Sequence, residues 1–236
     1  MAVGRKIKKT VMEALTAENW EQEFSHLMEV HSMQTLIAPL FSSLCASTVI
    51  ARWHGITCFG KVVSRMVAED TPRARIVMRR MTWMLNEESG GCAWGAPEAM
   101  GEITAASDLM ADEYGRILLS YIHEAEGRPE NYLEFTTLLR GALWGVARLA
   151  QDRPDIAAPA TDDLIGFLQN PDAVIVGTAC WGLGGLKSSK SVKPLEGLVD
   201  NDTVIEIYKD CSLQSVTVGK MAQDALDEIS QGINKT

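Results

Sequence analysis

Apolar residues recur three and four apart along most of this chain, the spacing that places them on one face of an α-helix. In the first 45 residues Trp20, Phe24, Leu27 and Met28 form one such stripe, and Thr16-Ala17-Glu18-Asn19 reads as the opening of its helix. A helix pair follows, with Leu36, Pro39, Leu40 and Leu44 in the first member and Val49, Ile50, Trp53, Ile56 and Phe59 in the second. Asp70-Thr71-Pro72 is a turn whose proline begins the next helix, through Val77, Met81 and Met84. Asn86 to Gly91 breaks that helix, because Ser-Gly-Gly cannot sustain one, and a new helix from Trp94 carries Glu98, Glu102 and Ile103. Asp112 to His123 is a further helix and Gly127-Arg128-Pro129-Glu130 a turn. The apolar stretch from Phe135 to Leu149 ends at Asp152-Arg153-Pro154-Asp155.

The period then changes from three and four to two. Thr203-Val204-Ile205-Glu206-Ile207-Tyr208 and Leu213-Gln214-Ser215-Val216-Thr217-Val218 are rich in β-branched residues and flank the polar Lys209-Asp210-Cys211-Ser212. This predicts a β-hairpin over 203–218 with strands at 203–208 and 213–218, followed by a capping helix over 219–231.

Two phrases recur. Leu143-Trp144-Gly145-Val146-Ala147-Arg148-Leu149 returns as Cys180-Trp181-Gly182-Leu183-Gly184-Gly185-Leu186. Leu164-Ile165-Gly166-Phe167-Leu168-Gln169-Asn170-Pro171-Asp172-Ala173-Val174-Ile175 returns as Leu195-Glu196-Gly197-Leu198-Val199-Asp200-Asn201-Asp202-Thr203-Val204-Ile205 once Pro171 is gapped. The unit is about 31 residues, two short antiparallel helices and their turns, and such units bury their apolar faces only by stacking. Glycine within Trp-Gly-x-Gly weakens a helix, so these glycines predict close approach of neighbouring helices.

At these residues the chain resembles the HEAT-like repeat superfamily, in the short form named after phycobilisome lyases, closely over 160–230 and more loosely over 36–150. The stretch Arg79 to Glu102, which includes Trp83, Asn86, Gly90, Gly91 and Trp94-Gly95-Ala96-Pro97-Glu98, is similar to the signature of a group of such proteins from anaerobic bacteria. The resemblance implies a fold and no activity. The expected class is all-α: a right-handed α-solenoid of HEAT-like helical repeats, about five helix pairs, with a small β-hairpin near the C-terminus. The expected organisation is a single domain over 1–236, with an N-terminal helical cap at 1–45.

Composition narrows the function classes. The chain has 236 residues, 46% of them hydrophobic and 22% charged, and no apolar run long enough to span a bilayer. Arg5, Lys6, Lys8 and Lys9 are not followed by an apolar segment, which argues against a secretory signal and sets the cytoplasm as the expected location. The five cysteines are scattered and form no Cys-x-x-Cys pair, so neither a disulfide framework nor a metal ligand set is expected. Residues 1–90 carry 11 Lys and Arg against 9 Asp and Glu, and residues 91–236 carry 11 against 22, which together give the net charge of −9. An acidic chain repels phosphate backbones, which argues against a nucleic-acid partner.

No catalytic set is recognisable. His123-Glu124 is a single His-Glu dipeptide, and His26, His31 and His54 lack metal-ligand spacing, so no metal or cofactor is expected. The candidate chemistry is instead polar and surface-bound. Glu98 and Glu102 stand four apart on one helix, as do Arg140, Trp144 and Arg148 on another. With Arg79, Arg80, Asn86, Glu87, Glu88 and Trp94 they predict a polar groove on the inner face of the repeats, the charged and amide groups around Gly90-Gly91 exceeding what a helix turn needs. The competing structural reading has these carboxylates and arginines simply pair with each other in salt bridges and the tryptophans pack between layers. The expected function is a non-enzymatic scaffold binding a protein segment or peptide. The alternative, suggested by fold kinship alone, is an enzyme or lyase-like protein acting on a small molecule or tetrapyrrole in that groove.

Overall fold

The computed structural model of the chain describes residues 2–86, 93–124 and 131–233. The expected helix break at 86–91 and turn at 127–130, with Glu87, Glu88 and Cys92, therefore fall wholly or mostly outside the described residues. Among the described residues the fold is helical apart from one hairpin, and its contacts divide it into two compact units, Met1–Met110 and Ala111–Thr236.

The first unit contains α1 (Ala2–Thr16), α2 (Trp20–Val30), α3 (Met33–Ser43), α4 (Val49–Asn86) and α5 (Ala96–Ala106). The stripe Trp20, Phe24 and Leu27 is buried as its spacing requires, and α2 opens at Trp20 with Asn19 before it. α4 is two helices joined at Asp70, whose backbone is non-helical (φ −157°, ψ 77°). The Asp70 carboxylate accepts from the Arg73 N–H (3.2 Å), and Pro72 sits in the first turn of the second half, as Asp-Thr-Pro predicts.

The first half of α4 buries Ile56 and Phe59 as expected, but its buried face departs from the expected stripe at the start of the helix. Val49 and Ile50 are exposed, whereas Ala51, His54, Gly55, Cys58 and Val62 face the core. Small residues win this face because neighbours come close: a Cβ on Gly55 would overlap the Ser43 hydroxyl. His54 stacks on Trp20 (ring centroids 4.0 Å apart) and its Nδ1–H donates to the Leu15 carbonyl (2.8 Å), so burial, which depresses the imidazole pKa, leaves the ring a satisfied core residue.

α6 (Asp108–Ser120) leads into the second unit, which holds α7 (Thr136–Asp152), the one-turn α8 (Pro154–Ala157), α9 (Thr161–Phe167), α10 (Ala173–Leu186), the short α11 (Val192–Glu196), β1 (Val204–Lys209), β2 (Ser212–Thr217) and α12 (Val218–Ile233). α10 packs between α7 and α12. The Trp-Gly phrase sits at these contacts. A Cβ on Gly182 would lie 3.3 Å from the Ala147 Cα, one on Gly185 would lie 2.9 Å from the Ala150 carbonyl oxygen, and one on Gly184 would lie 3.0 Å from the Ala225 Cα. The predicted close approach is therefore present on both sides of α10.

The second repeated phrase corresponds to a repeated turn. Asn170 Oδ1 accepts from the Asp172 N–H (2.9 Å), and Asn201 Oδ1 accepts from the Thr203 N–H (3.0 Å). After the same turn the two copies diverge. Asp172 caps α10 through the Val174 and Ile175 N–H groups (3.0 and 3.4 Å), so the β-branched Val174-Ile175-Val176 begins a helix. The second copy continues as β1, paired antiparallel to β2 with Ile205 opposite Val216 and Ile207 opposite Gln214. The hairpin is found one residue from the expected strand limits, and the helix after it one or two residues longer at each end. Ile205, Ile207 and Tyr208 are buried, and Ile205 fills the space that a side chain at Gly177 of α10 would need.

Candidate functional site

The residues expected to share a groove divide between the two units, Arg79 to Glu102 on the first and Arg140, Trp144 and Arg148 on the second. In the first unit, Arg79 and Arg80 project from the exposed side of α4 near its C-terminus, Arg80 with its guanidinium 3.8 Å from the centre of the Phe41 ring, and Asn86 is exposed at the end of that helix. Trp94 is 47% exposed just before α5. Gly95 follows at φ 78°, in the left-handed region, and a side chain there would strike Leu44. Pro97 then opens α5, so Trp-Gly-Ala-Pro-Glu is read physically as an unusual N-terminal corner.

On α5 the two glutamates differ. Glu102 is buried, and the Glu102 backbone lies where Gly60 of α4 leaves room for it, so it sits beneath the surface rather than lining it. Glu98 keeps some exposure as a residue, but its Oε2 is enclosed without a hydrogen-bond partner. Burial raises the Glu98 carboxyl to about 7, against the smaller opposing effects of its own backbone N–H and the Arg52 charge.

In the second unit, Trp144 is interior. It is 4% exposed, its Nε1–H donates to the Tyr208 carbonyl (2.8 Å), and its ring lies 5.7 Å from Trp181 and 6.5 Å from Tyr208, which corrects its placement in a groove wall. Arg148 donates to Asp152 one turn on (2.7 Å). Arg140 projects from α7 and donates from Nε (2.8 Å) and Nη2 (2.6 Å) to Asp172 Oδ2, whose other oxygen caps α10. Both arginines thus form salt bridges with aspartates of the same unit.

Arg140 nevertheless borders a site that the spacing argument missed. A trough of about 730 Å³ opens at the N-terminal ends of α7 and α10, lined by Tyr132, Glu134, Thr136, Arg140, Pro171 and Val204 among others. It adjoins a second hollow of about 440 Å³, with which it shares Tyr132, Asn170 and Pro171 and which reaches Glu124, Asp162 and Asp163. His123 Nδ1 lies 2.9 Å from Asp163 Oδ1 at the same end. The one signal for this site in the sequence is the repeated Asn turn, since Asn170 and Pro171 form its floor. Burial and the neighbouring Glu124 and Glu134 charges raise the Tyr132 phenol pKa, so this ring is a neutral, partly apolar wall.

The trough is lined by no Cys, Ser, His or Lys, and among the described residues no group of three or more His, Cys, Asp or Glu is placed to hold a metal ion. Its lining combines the Glu134 carboxylate, the paired Arg140 and Asp172, two helix ends, and the apolar Pro171, Val204 and Ile205. Among the described residues no helix is long and apolar enough to cross a membrane.

Residues 136–184, which include α7, α9 and the start of the Trp-Gly phrase in α10, match the family model described as HEAT-like repeat. No curated protein sequence matches the chain. Among solved structures it is similar to a designed armadillo repeat protein in complex with the peptide (KR)4, at 14% identity and TM-score 0.51, covering 93% of this chain and 98% of that one. It is similar to the same degree to a computationally designed armadillo repeat protein for modular peptide recognition, at 15% identity and TM-score 0.51, covering 96% and 92%. An engineered protein is similar at 14% identity and TM-score 0.52, covering 95% and 99%. The fold of this chain is thus a helical repeat of the armadillo and HEAT type, with a two-stranded hairpin near its C-terminus.

Proposed function

We propose that the protein is a non-catalytic, cytoplasmic scaffold that binds an extended segment of another protein in the trough of its second unit. The observation that carries this reading is the trough itself. It is about 730 Å³, shares Tyr132, Asn170 and Pro171 with a second hollow, and is lined by residues of α7, α10 and β1, so an extended segment has a path from one hollow into the other. Armadillo designs of similar fold that bind peptides support the reading at the level of architecture. Arg140 is the member of the sequence-predicted set that borders the trough; Arg79, Arg80, Asn86, Trp94, Glu98 and Glu102 stand on the first unit. Selection from a random dodecapeptide display library, followed by titration of enriched peptides against wild type and Tyr132→Ala, tests the reading. Enriched peptides should bind and lose about tenfold in affinity when the tyrosine wall is removed. No enrichment, or peptides indifferent to Tyr132→Ala, would reject it.

A further inference from the structure

The hairpin register fixes which backbone groups of β1 point away from β2. Val218 N–H donates to the Thr203 carbonyl (3.0 Å), and with the pairing of Ile205 to Val216 and Ile207 to Gln214 this places residues 203, 205, 207 and 209 in the bonded phase of the ladder. Residues 204, 206 and 208 then turn their N–H and C=O groups to the other edge of β1. The Tyr208 carbonyl on that edge is taken by Trp144 Nε1–H, so α7 closes the edge at its far end. At the near end Val204 is 62% exposed and lines the trough, Glu206 is also exposed, and the outward backbone groups of both have no partner among the described residues. An open strand edge with an exposed valine is a template for pairing with another chain.

Charge selects the chain. Glu134 lines the trough, Glu206 stands on the open strand and Glu124 lies in the adjoining hollow, whereas Arg140, the cation of the lining, is held twice by Asp172. The second unit as a whole carries 11 Lys and Arg against 19 Asp and Glu over residues 111–236. We propose that the outer edge of β1 accepts an added β-strand from a basic, extended protein segment, which pairs with the backbone of Val204 and Glu206 and lays its lysine or arginine side chains toward Glu134 and Glu206. Strand addition draws affinity from main-chain bonds and specificity from alternate side chains, and both are available here. The proposal rests on the segment-binding reading of the same trough and adds to it the backbone register and the sign of the charge.

The probe is a fluorescent, end-capped octapeptide of alternating lysine and valine, with a copy N-methylated at every residue and a third copy with glutamate in place of lysine. Wild-type protein should bind the first and lose about tenfold or more with each of the other two, because methylation removes main-chain donors and glutamate inverts the charge. Val204→Pro removes the outward N–H without touching the β1–β2 ladder, since Val204 is in the non-bonded phase. It should keep the helical circular dichroism and lose the probe by a similar factor. Equal affinity for the methylated and unmethylated peptides overturns strand addition, whatever the folding of the proline variant. A wild-type protein that ignores the lysine probe but binds display-selected peptides through Tyr132 overturns this proposal and leaves the segment-binding reading standing. Failure of both rejects both.

Discussion

At the residue scale the clearest consequence of burial is Glu98. Its folded carboxyl is raised to about 7 from an ordinary 4.5 because its head is enclosed, so the folded protein holds this proton more tightly than the unfolded chain does. The stabilisation from this group is complete below pH 4.5 and is lost as pH rises from 4.5 to 7. Glu98→Gln removes the titration. It should stabilise the protein at pH 8 by roughly 2 kcal/mol and change little at pH 4.5, as urea unfolding at the two pH values would show. A variant equally destabilised at both would mean that the carboxylate is held by a partner charge. Neither outcome was readable from the spacing of Glu98 and Glu102, which places two side chains on one helix face but cannot say how deep the neighbouring α4 sets each of them. Gly60, without a side chain, lets the Glu102 backbone approach and sinks it.

At the element scale, glycines that serve packing and glycines that do not should respond oppositely to the same substitution. Gly185→Ala gains helix propensity but forces its methyl to within 2.9 Å of the Ala150 carbonyl, so overpacking between α7 and α10 dominates and a loss of about 1–3 kcal/mol is expected. At Gly166 in α9 an added methyl would meet nothing within 4 Å, and Gly166→Ala should stabilise by about 0.5–1 kcal/mol. Thermal unfolding of the pair checks this, and destabilisation by both would contradict the packing account. The hairpin offers a third test. Its turn residues Asp210 and Cys211 both have positive φ (51° and 57°), a two-residue turn that favours glycine at its second position, and Cys211 bears a side chain there. Cys211→Gly should raise stability by about 1 kcal/mol without altering the β1–β2 register; a loss of stability would show that the cysteine side chain does more than occupy the turn. This hairpin was legible because β-branched alternation and a polar turn coincide. The same β-branched character in Val174-Ile175-Val176 yields a helix, since Asp172 caps it and α7 and α12 pack on both sides; context decides between two segments that share a turn.

At the scale of the whole molecule, the repeat architecture was legible because its causes are local: small residues where helices cross, an asparagine turn returning after about 31 residues, and prolines at helix ends. The trough was not, because Tyr132, Arg140, Pro171 and Val204 come from separate elements with no shared spacing, and they meet only once α7, α10 and β1 are packed. The acidic excess of residues 91–236 is legible from composition, but composition alone assigns it to no surface. The central claim is that the trough receives an extended basic segment along β1. Amide hydrogen exchange, resolved residue by residue with and without a saturating excess of the lysine-valine octapeptide, tests it most directly. The account predicts that in the free protein the Ile205 and Ile207 amides exchange slowly while those of Val204 and Glu206 exchange fast, and that the peptide slows these last two by about tenfold or more. Peptide binding that leaves Val204 and Glu206 exchanging as in the free protein, with protection confined to helices elsewhere, would contradict it.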